Sequence, residues 1–581
     1  MRIFVSVGLY FVLSFYSRAQ EMQSLSDKDT LTILTRSGGN LDSIDLYLFP
    51  NLYTHPGGLP TFSNGLAIDF LSNSPNGRLN EIGASWTKMR FSALPHIGFA
   101  YSFGSKGTQT VKANYEHFLG KYSLLNMRFN QLRSNGFIRN GTSAYNQFEL
   151  QFDHKRPRLT IQYKTLITLS TVSHNGGVLT DSLVDQFGLE FTPIAKTSAE
   201  SKSKQLNMYL ASYSDFTRDT TYATGVFTEH RFAVKNWRYS EFSDTLASLY
   251  PIIHFDSTNT SDQFQWSAIS NGAGYYLSKG KTQARLGAKL DYWKVANLGR
   301  FFDTTEIRVF GEWMGNYKRI EGNIRYEKVV YGASNGQLAN FYIHTNLGKM
   351  DISASSRFSD QLPDPFIRYH LGNSISPIAS QSWQREKRWT SSLVLDYAIS
   401  ALQSVQFNYT YQDLKDNYFY LGNEWNNTLV SSLSIHQLKV SANATWKKLH
   451  FWPSYTYTLS NSSISPFPSH LLNSRIYVKG YLFKAKKLLA YAGTDVLYQS
   501  AGRAMQLVPM LNALTFNEIS SGYNGFINLH AFAGFQIDQF KFFVRFENIG
   551  YFWNDKTISL INNYPMAPFQ FRVGITWDFF N

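Results

Sequence analysis

There is no cysteine in the 581 residues. That excludes structural disulfides, thiolate metal sites and a lipid-modified N-terminus, since no residue could carry the lipid. Charge is scarce as well, at 17% of residues. Yet beyond the first fifteen positions no long apolar run compensates for it. The longest candidates are broken every second or third position by Lys, Asn, Ser or Thr, so no transmembrane helix is expected. No linker, low-complexity stretch or shift in composition divides the chain, and no repeat of fixed length is found. What remains open is a soluble protein or a β-barrel in a membrane.

Aromatic residues are what the chain has in excess, at 16% with 46 Phe and 36 Tyr, while its mean hydropathy is slightly negative. A polar average with an aromatic excess is what alternating lipid-facing and lumen-facing positions produce, with aromatic girdles at both interfaces. The net charge of +14 invites a nucleic-acid reading. The Lys and Arg residues are scattered about one per strand face rather than clustered, so no nucleic-acid partner is expected.

A period of two runs through most of the chain. Val111, Ala113 and Tyr115 alternate with Lys112, Asn114 and Glu116. Ala284, Leu286, Ala288, Leu290 and Tyr292 alternate with Gln283, Arg285, Gly287, Lys289 and Asp291. Val405 to Gln412 and Leu438 to Trp446 repeat the pattern. Many runs are about ten residues long, the length a tilted strand needs to cross a bilayer, where soluble strands are nearer five or six. Candidate strands lie near residues 95, 109, 122, 146, 159, 206, 226, 265, 282, 305, 319, 338, 350, 390, 404, 437, 450, 474, 488, 526, 541 and 569. Allowing for false positives and omissions, an all-β, transmembrane antiparallel β-barrel of about 18 to 22 strands is expected, with an even count. Short connections such as Lys447-Lys448 and Asp538-Gln539 read as periplasmic turns; Trp237 to Asp262, Asp360 to Glu386 and Ser500 to Asn524 read as external loops that could fold inward.

The ends frame this barrel. Arg2, the apolar run Ile3 to Phe15 and Ser17-Arg18-Ala19 read as a signal peptide, residues 1–19, cleaved before Gln20. Residues 20–80, with Gly38-Gly39 and Pro56-Gly57-Gly58, read as an irregular periplasmic or lumenal segment, and residues 81–581 as the outer-membrane barrel. At the other end Phe569, Phe571, Val573, Ile575, Trp577 and Phe579 share one face, and Gln570, Arg572, Gly574, Thr576 and Asp578 the other. Arg572, Gly574, Trp577, Phe579 and Phe580 resemble, in type and spacing, the C-terminal insertion signal of outer-membrane barrels. That resemblance implies outer-membrane lipid and the barrel-assembly machinery as partners, after export through the periplasm.

One charged constellation stands out. Arg285, Lys289 and Asp291 lie on one face of a candidate strand, Glu306, Arg308 and Glu312 on one face of the next, and Arg319, Glu321, Arg325 and Glu327 on one face of a third. Arg or Lys on the lipid side would cost about 2–4 kcal/mol at the midplane, so these ten are expected to line the lumen. There they either brace the wall through cross-strand pairs or set ion selectivity. On the same alternation Leu286 is expected to touch lipid and Lys289 the lumen. No enzyme is expected. None of the 13 histidines has Ser two positions on, the spacing of barrel phospholipases. No His pair stands at zinc spacing and no phosphate loop is present, so no catalytic residue, metal site or cofactor is assigned.

Leu471-Leu472-Asn473-Ser474-Arg475-Ile476-Tyr477, then Gly493-Thr494-Asp495-Val496-Leu497-Tyr498, and the ending Phe571 to Phe580 resemble the C-terminal half of the putative porins of Bacteroidota. Ser134-Asn135-Gly136-Phe137 with Asn146-Gln147, then Asn175-Gly176-Gly177, fall in the order of that family. The resemblance covers most of the chain after about residue 60. It implies an outer-membrane β-barrel of pore function and carries over no catalytic residues. The expected role is therefore passive diffusion of small solutes. The alternatives are a filled, non-enzymatic barrel that serves as an assembly or secretion partner, or a channel for hydrophobic substrates of the fatty-acid type. A plug domain within the barrel is not expected, because only about sixty residues precede the first strand after cleavage.

Overall fold

The computed structural model describes residues 94–580 apart from 219–221, 245, 379–382, 401, 422–423, 428–431, 463–464 and 517–521. The signal peptide, the 20–80 segment and the expected barrel start between 81 and 93 lie outside the described residues. Twenty-two strands form one antiparallel sheet. The first five are β1 (His96–Gly104), β2 (Thr108–Phe118), β3 (Ser123–Ser134), β4 (Ser143–Arg156) and β5 (Leu159–Ser173). The next eight are β6 (Ala199–Arg218), β7 (Tyr222–Phe242), β8 (Asn259–Lys279), β9 (Thr282–Asn297), β10 (Arg300–Tyr317), β11 (Ile320–Tyr331), β12 (Gln337–Leu347) and β13 (Met350–Gln361). Then come β14 (Glu386–Ser400), β15 (Gln403–Lys415), β16 (Ser432–Trp446), β17 (Leu449–Ser460) and β18 (His470–Tyr481). The last four are β19 (Leu488–Gln499), β20 (Phe526–Ile537), β21 (Phe540–Glu547) and β22 (Gln570–Phe580). Each pairs with the next, and β22 pairs with β1, with Phe99 opposite Trp577 and Ile97 opposite Phe579. The sheet is closed and has no edge.

Burial is inverted relative to a soluble protein. Large apolar side chains stand outside: Leu286 is 70% exposed, and Ile324, Phe407 and Leu438 are exposed too. Polar and charged side chains are buried inside, Glu116, Asn126, Gln151 and Glu306 among them. Such a surface far exceeds the apolar patch a soluble monomer exposes and suits contact with lipid. Exposed Tyr317, Trp446, Tyr481 and Trp577 stand at one rim of the apolar band, and Tyr331, Trp389 and Tyr498 at the other. Leu286→Arg is expected to block assembly, because arginine facing lipid near the midplane costs about 2–4 kcal/mol; loss of heat-modifiable migration on gels reads it. A variant that assembles like wild type would place this face elsewhere.

Connections differ at the two rims. At the rim that holds the start of β1 and the end of β22 they are mostly two-residue turns, such as Lys447-Lys448 and Asp538-Gln539. Their first residues adopt φ of 55° and 48°, the left-handed backbone that a two-residue hairpin requires. At the opposite rim lie the long connections 174–198, 243–258, 362–385, 416–431, 500–525 and 548–569. The expected loop from Trp237 to Asp262 is shorter than the sequence suggests. β7 runs on to Phe242 and β8 starts at Asn259, because inward-facing Trp237, Tyr239 and Phe264 stay in register and bury against loops.

The described residues of those loops fold into the lumen rather than outward. Their apolar residues have no lipid to meet, so they bury against one another and against inward aromatics at the strand ends. The segment 500–525 is the hub. Val508, Met510 and Leu511 join Trp237, Tyr239 and Phe366. Met505 and Phe516 join Leu414 and Leu433. Leu507 joins Val178 and Ile561, and Ala504 and Tyr523 join Leu497 and Ile558. Ser201 Oγ on β6 donates to Pro509 O at 3.2 Å, so this segment, rooted between β19 and β20, reaches far round the barrel to β6.

Candidate functional site

The inner wall of β7 to β11 carries a continuous ion-pair ladder. Register sets it up: Arg285 stands opposite Glu312, and Asp291 opposite Glu306, across β9 and β10. Glu312 stands opposite Arg325 across β10 and β11. Arg285 bridges Glu312 and Glu229, the latter at 3.1 Å, and donates to the Tyr213 hydroxyl at 2.7 Å. Arg325 lies 3.3 Å from Glu312 and 3.0 Å from Glu327. Arg308 lies 2.7 Å from Asp291, 2.9 Å from Glu306 and 3.5 Å from Glu327. Lys289 sits between Glu229 at 3.6 Å and Glu327 at 3.7 Å, its side chain only 10% exposed.

Aromatic rings underlie the ladder. Lys289 and Arg325 sit 4.9 Å and 4.7 Å from the Phe310 ring centroid, and Arg285 5.4 Å from that of Phe227, within cation–π range. Gly287 makes room for both rings, because a Cβ there would lie 2.9 Å from each. Eight of the ten residues expected at the lumen are thus brought into one network. Two are not. Arg319 lies outside β11, in the exposed two-residue turn Lys318-Arg319, because the strand begins one residue later than alternation suggests. Glu321 is on the inward face but exposed at the turn rim, four residues before Arg325. Glu229 and Tyr213 belong to the network and escaped the sequence reading. The same alternation on β7 could have found Glu229, which shares a face with Phe227 and Arg231.

A second ladder occupies β18 to β22. Asp495 lies 2.6 Å from Arg475 and 2.8 Å from Arg545, and Glu547 lies 3.5 Å from Arg545 and 3.1 Å from Arg572. Six strands separate the two ladders in either direction round the barrel, so they face each other across the lumen. Arg572 of the C-terminal signal is therefore a lumenal ion-pair residue. Its neighbour Gly574 lies beneath the Phe543 ring, where any side chain would collide. Trp577 stays outside, stacked on Phe579 with centroids 4.3 Å apart. Phe580 pairs with His96.

Above the first ladder, the described residues 362–378 and 383–385 form a strap across the wall. Asp364 caps the short helix Pro365–Tyr369 by accepting from Phe366 N at 2.8 Å. Asn373 ties the strap to β8 through Asp262, and Asn297 of β9 donates to Tyr369 O at 3.0 Å. His370 is fully buried between Trp237, Phe264 and Phe366. Burial holds its imidazole down at about 3, so it is neutral, and pushes the Asp364 carboxyl up to about 6. Beneath the strap lies a partly open cavity bounded by Trp266, Trp293, Glu306, Arg308, Asp364 and Arg368 among others.

A polar-lined, lipid-faced, closed barrel defines an architecture, and sequence comparison supplies the family. The family described as "Putative porin" matches residues 92–581. The chain belongs to that family. No curated protein matches the sequence. Solved structures of similar fold include the FrpB iron transporter from Neisseria meningitidis, at 10% identity and TM-score 0.55 over 84% of this chain and 83% of that one. The ferric-catecholate import receptor Fiu from E. coli is similar at 10% identity and TM-score 0.57, covering 84% and 82%. The ferric enterobactin receptor PfeA from Pseudomonas aeruginosa is similar at 10% and 0.57, covering 84% and 81%. At such identity what is shared is the barrel fold. Family and fold together point to the outer membrane. Within this porin-family barrel, the ladders and the strap cavity are the chemistry-bearing parts of the lumen.

Proposed function

We propose that this porin-family barrel is a channel through which small polar solutes diffuse passively across the outer membrane, without catalysis. The observation that carries this reading is the inner wall, polar and ion-paired on both sides of the lumen while the outer wall is apolar. A fatty-acid type of substrate would want the reverse inside. The turn rim, which holds the first and last barrel strands' free ends, faces the periplasm in this reading, and the capped rim faces outward. The exposed face of β22 is the part offered to lipid and to the barrel-assembly machinery.

The test is conductance of the purified full-length protein in planar bilayers, with reversal potential across a salt gradient. The first ladder holds five carboxylates, Glu229, Asp291, Glu306, Glu312 and Glu327, against four bases, Arg285, Lys289, Arg308 and Arg325. Lys289→Gln deepens that acidic excess without adding a like charge beside Glu229. It is expected to shift the reversal potential towards cations, since fixed wall charge concentrates counter-ions. An unchanged potential in a conducting variant would remove this ladder from the path. The loop cap supports a second reading, a filled barrel serving an assembly or secretion partner. Absence of conductance in wild type and in a variant with the cap opened would favour it.

A further inference from the structure

The turns of one rim carry a charge that the channel reading does not use. The turn 482–487 reads Leu-Phe-Lys-Ala-Lys-Lys and holds three lysines. Lys447-Lys448 and Lys318-Arg319 form two further turns, and Lys121, Arg158, Lys281 and Lys349 stand in four more. All of these bases are exposed, and no ion pair among the described residues includes them. Asp538 is the one acid among the described residues of these turns. The longer connections of the opposite rim carry more acid than base among theirs. Along the sequence the bases are scattered. Closure of the barrel gathers them, because the hairpins that hold them all end at the same rim.

Neighbouring rings set their depth. Exposed Tyr317 and Trp446 end the apolar band at this rim, and Lys318 and Lys447 follow them directly. Each of these ammonium groups lies 5.4 Å from the ring centroid of the residue before it. Lys121 lies 5.7 Å from that of Tyr122. Tyr and Trp settle where acyl chains meet headgroups, and each further residue of a strand rises about 3.3 Å. The bases therefore stand at the depth of lipid phosphates. Leu482 and Phe483, each 63% exposed, carry the apolar surface into the turn just before its lysines begin. The lumen mouth is not their partner. The acids nearest this rim, Glu321, Asp351 and Asp578, occupy inward strand faces instead. An acidic protein would call for a patch on one side of the barrel. These bases recur from the β2–β3 turn to the β18–β19 turn, round most of the wall, as a surrounding leaflet would require.

We propose that the turn rim is a contact ring for anionic phospholipid headgroups, with the 482–487 turn as its basic and apolar foot. The assignment of this ring to the periplasmic leaflet rests on the channel reading, which puts the turn rim at the periplasm.

The chain has no cysteine, so Ala485→Cys gives a single site for a fluorescent label in the exposed foot. The labelled full-length protein is placed in phosphatidylcholine vesicles that hold a little nitroxide-labelled phosphatidylglycerol or, separately, phosphatidylcholine with the same nitroxide. Quenching should favour phosphatidylglycerol by about threefold or more, since one base near an anionic surface strengthens binding about fivefold. The preference should vanish at about 1 M salt. Lys447→Asn, Lys448→Gln, Lys484→Gln, Lys486→Asn and Lys487→Gln together remove the local charge. Asn suits positions 447 and 486, whose φ of 55° and 51° is left-handed. That variant should assemble and be quenched equally by both lipids. Equal quenching with the bases intact, or an unchanged preference in the neutralised variant, would overturn the proposal. Inorganic phosphate at constant ionic strength should leave the preference as it is; loss of the preference would make the foot a small-anion site and overturn it too. Should the neutralised variant fail to assemble, the two-lipid comparison and its salt dependence still decide. An impermeant thiol reagent should not label the Ala485→Cys protein on intact cells, and labelling there would overturn the leaflet assigned. Lipid preference without bilayer conductance would retain the ring and remove the channel; conductance without lipid preference would do the opposite.

Discussion

A chain that ends at Thr576 does not assemble. This is the largest effect the structure leads us to expect. β22 is the closing strand, and truncation strips from it the partners of Phe99, Gly98, Ile97 and His96 on β1. The Trp577 partner of Phe540 on β21 goes as well, with the T-shaped contact of those rings at 5.6 Å. The N–H and C=O groups of β1 freed at that rim would lose their partners and leave the barrel with an unpaired edge there. The stacked pair Trp577 and Phe579 at the rim would be lost too. Heat-modifiable gel migration and protease resistance in membranes read the outcome. A truncated chain that migrates as a folded barrel would show that closure through the end of β22 is dispensable.

The second large effect concerns the lumen. Excising Leu507 to Leu514 and joining Gln506 to Thr515 through two glycines should raise conductance severalfold while assembly stays intact. Gln506 and Thr515 are paired neighbours in a small hairpin, so the new connection bridges a short gap. The excision removes Leu507, Val508, Met510 and Leu511, which sit in two apolar clusters. Each buried side chain of this size contributes about 1.5–3 kcal/mol, so without them the segment loses its hold across the lumen and keeps only the clusters of Met505 with Phe516 and of Ala504 with Tyr523. The wall does not depend on them, because among the described residues the barrel strands pair with one another. Conductance equal to that of wild type would mean that this hairpin does not close the path.

Much of the wall was legible without coordinates. Every segment marked by a period of two lies in or beside an observed strand, from His96 to Phe580, and the 22 strands fall at the upper end of the expected range. The facing of Leu286 and Lys289 was legible for the same reason: lipid penalises charge on one face only. The state of Lys289 was not. Pairing across strands was one of two roles its charge allowed, but the partners were not legible, and the structure buries it between Glu229 and Glu327. The reason is that cross-strand neighbours on β7 and β11 bring acid to it, and pairing register is not written in one strand alone. The second ladder escaped for a related reason. Arg475, Asp495, Arg545, Glu547 and Arg572 contribute one or two charges per strand, too few to stand out until the strands are side by side.

The sequence by itself determined the class of the protein: which residues form strands, which face of each strand meets lipid, how long the strands run, and that the last one ends on an aromatic closing edge. These follow from alternation, which is local and repeats every two residues. Only the tertiary structure decided what fills the lumen. The apolar residues of the long loops carry no period, and their partners are remote: Ser201 meets Pro509 across 308 positions, and Asn373 meets Asp262 across 111. Whether such residues turn outward or fold into a cap depends on the width of the closed barrel and on which inward aromatics its register exposes at the rim. Those quantities exist only once every strand has found its neighbour.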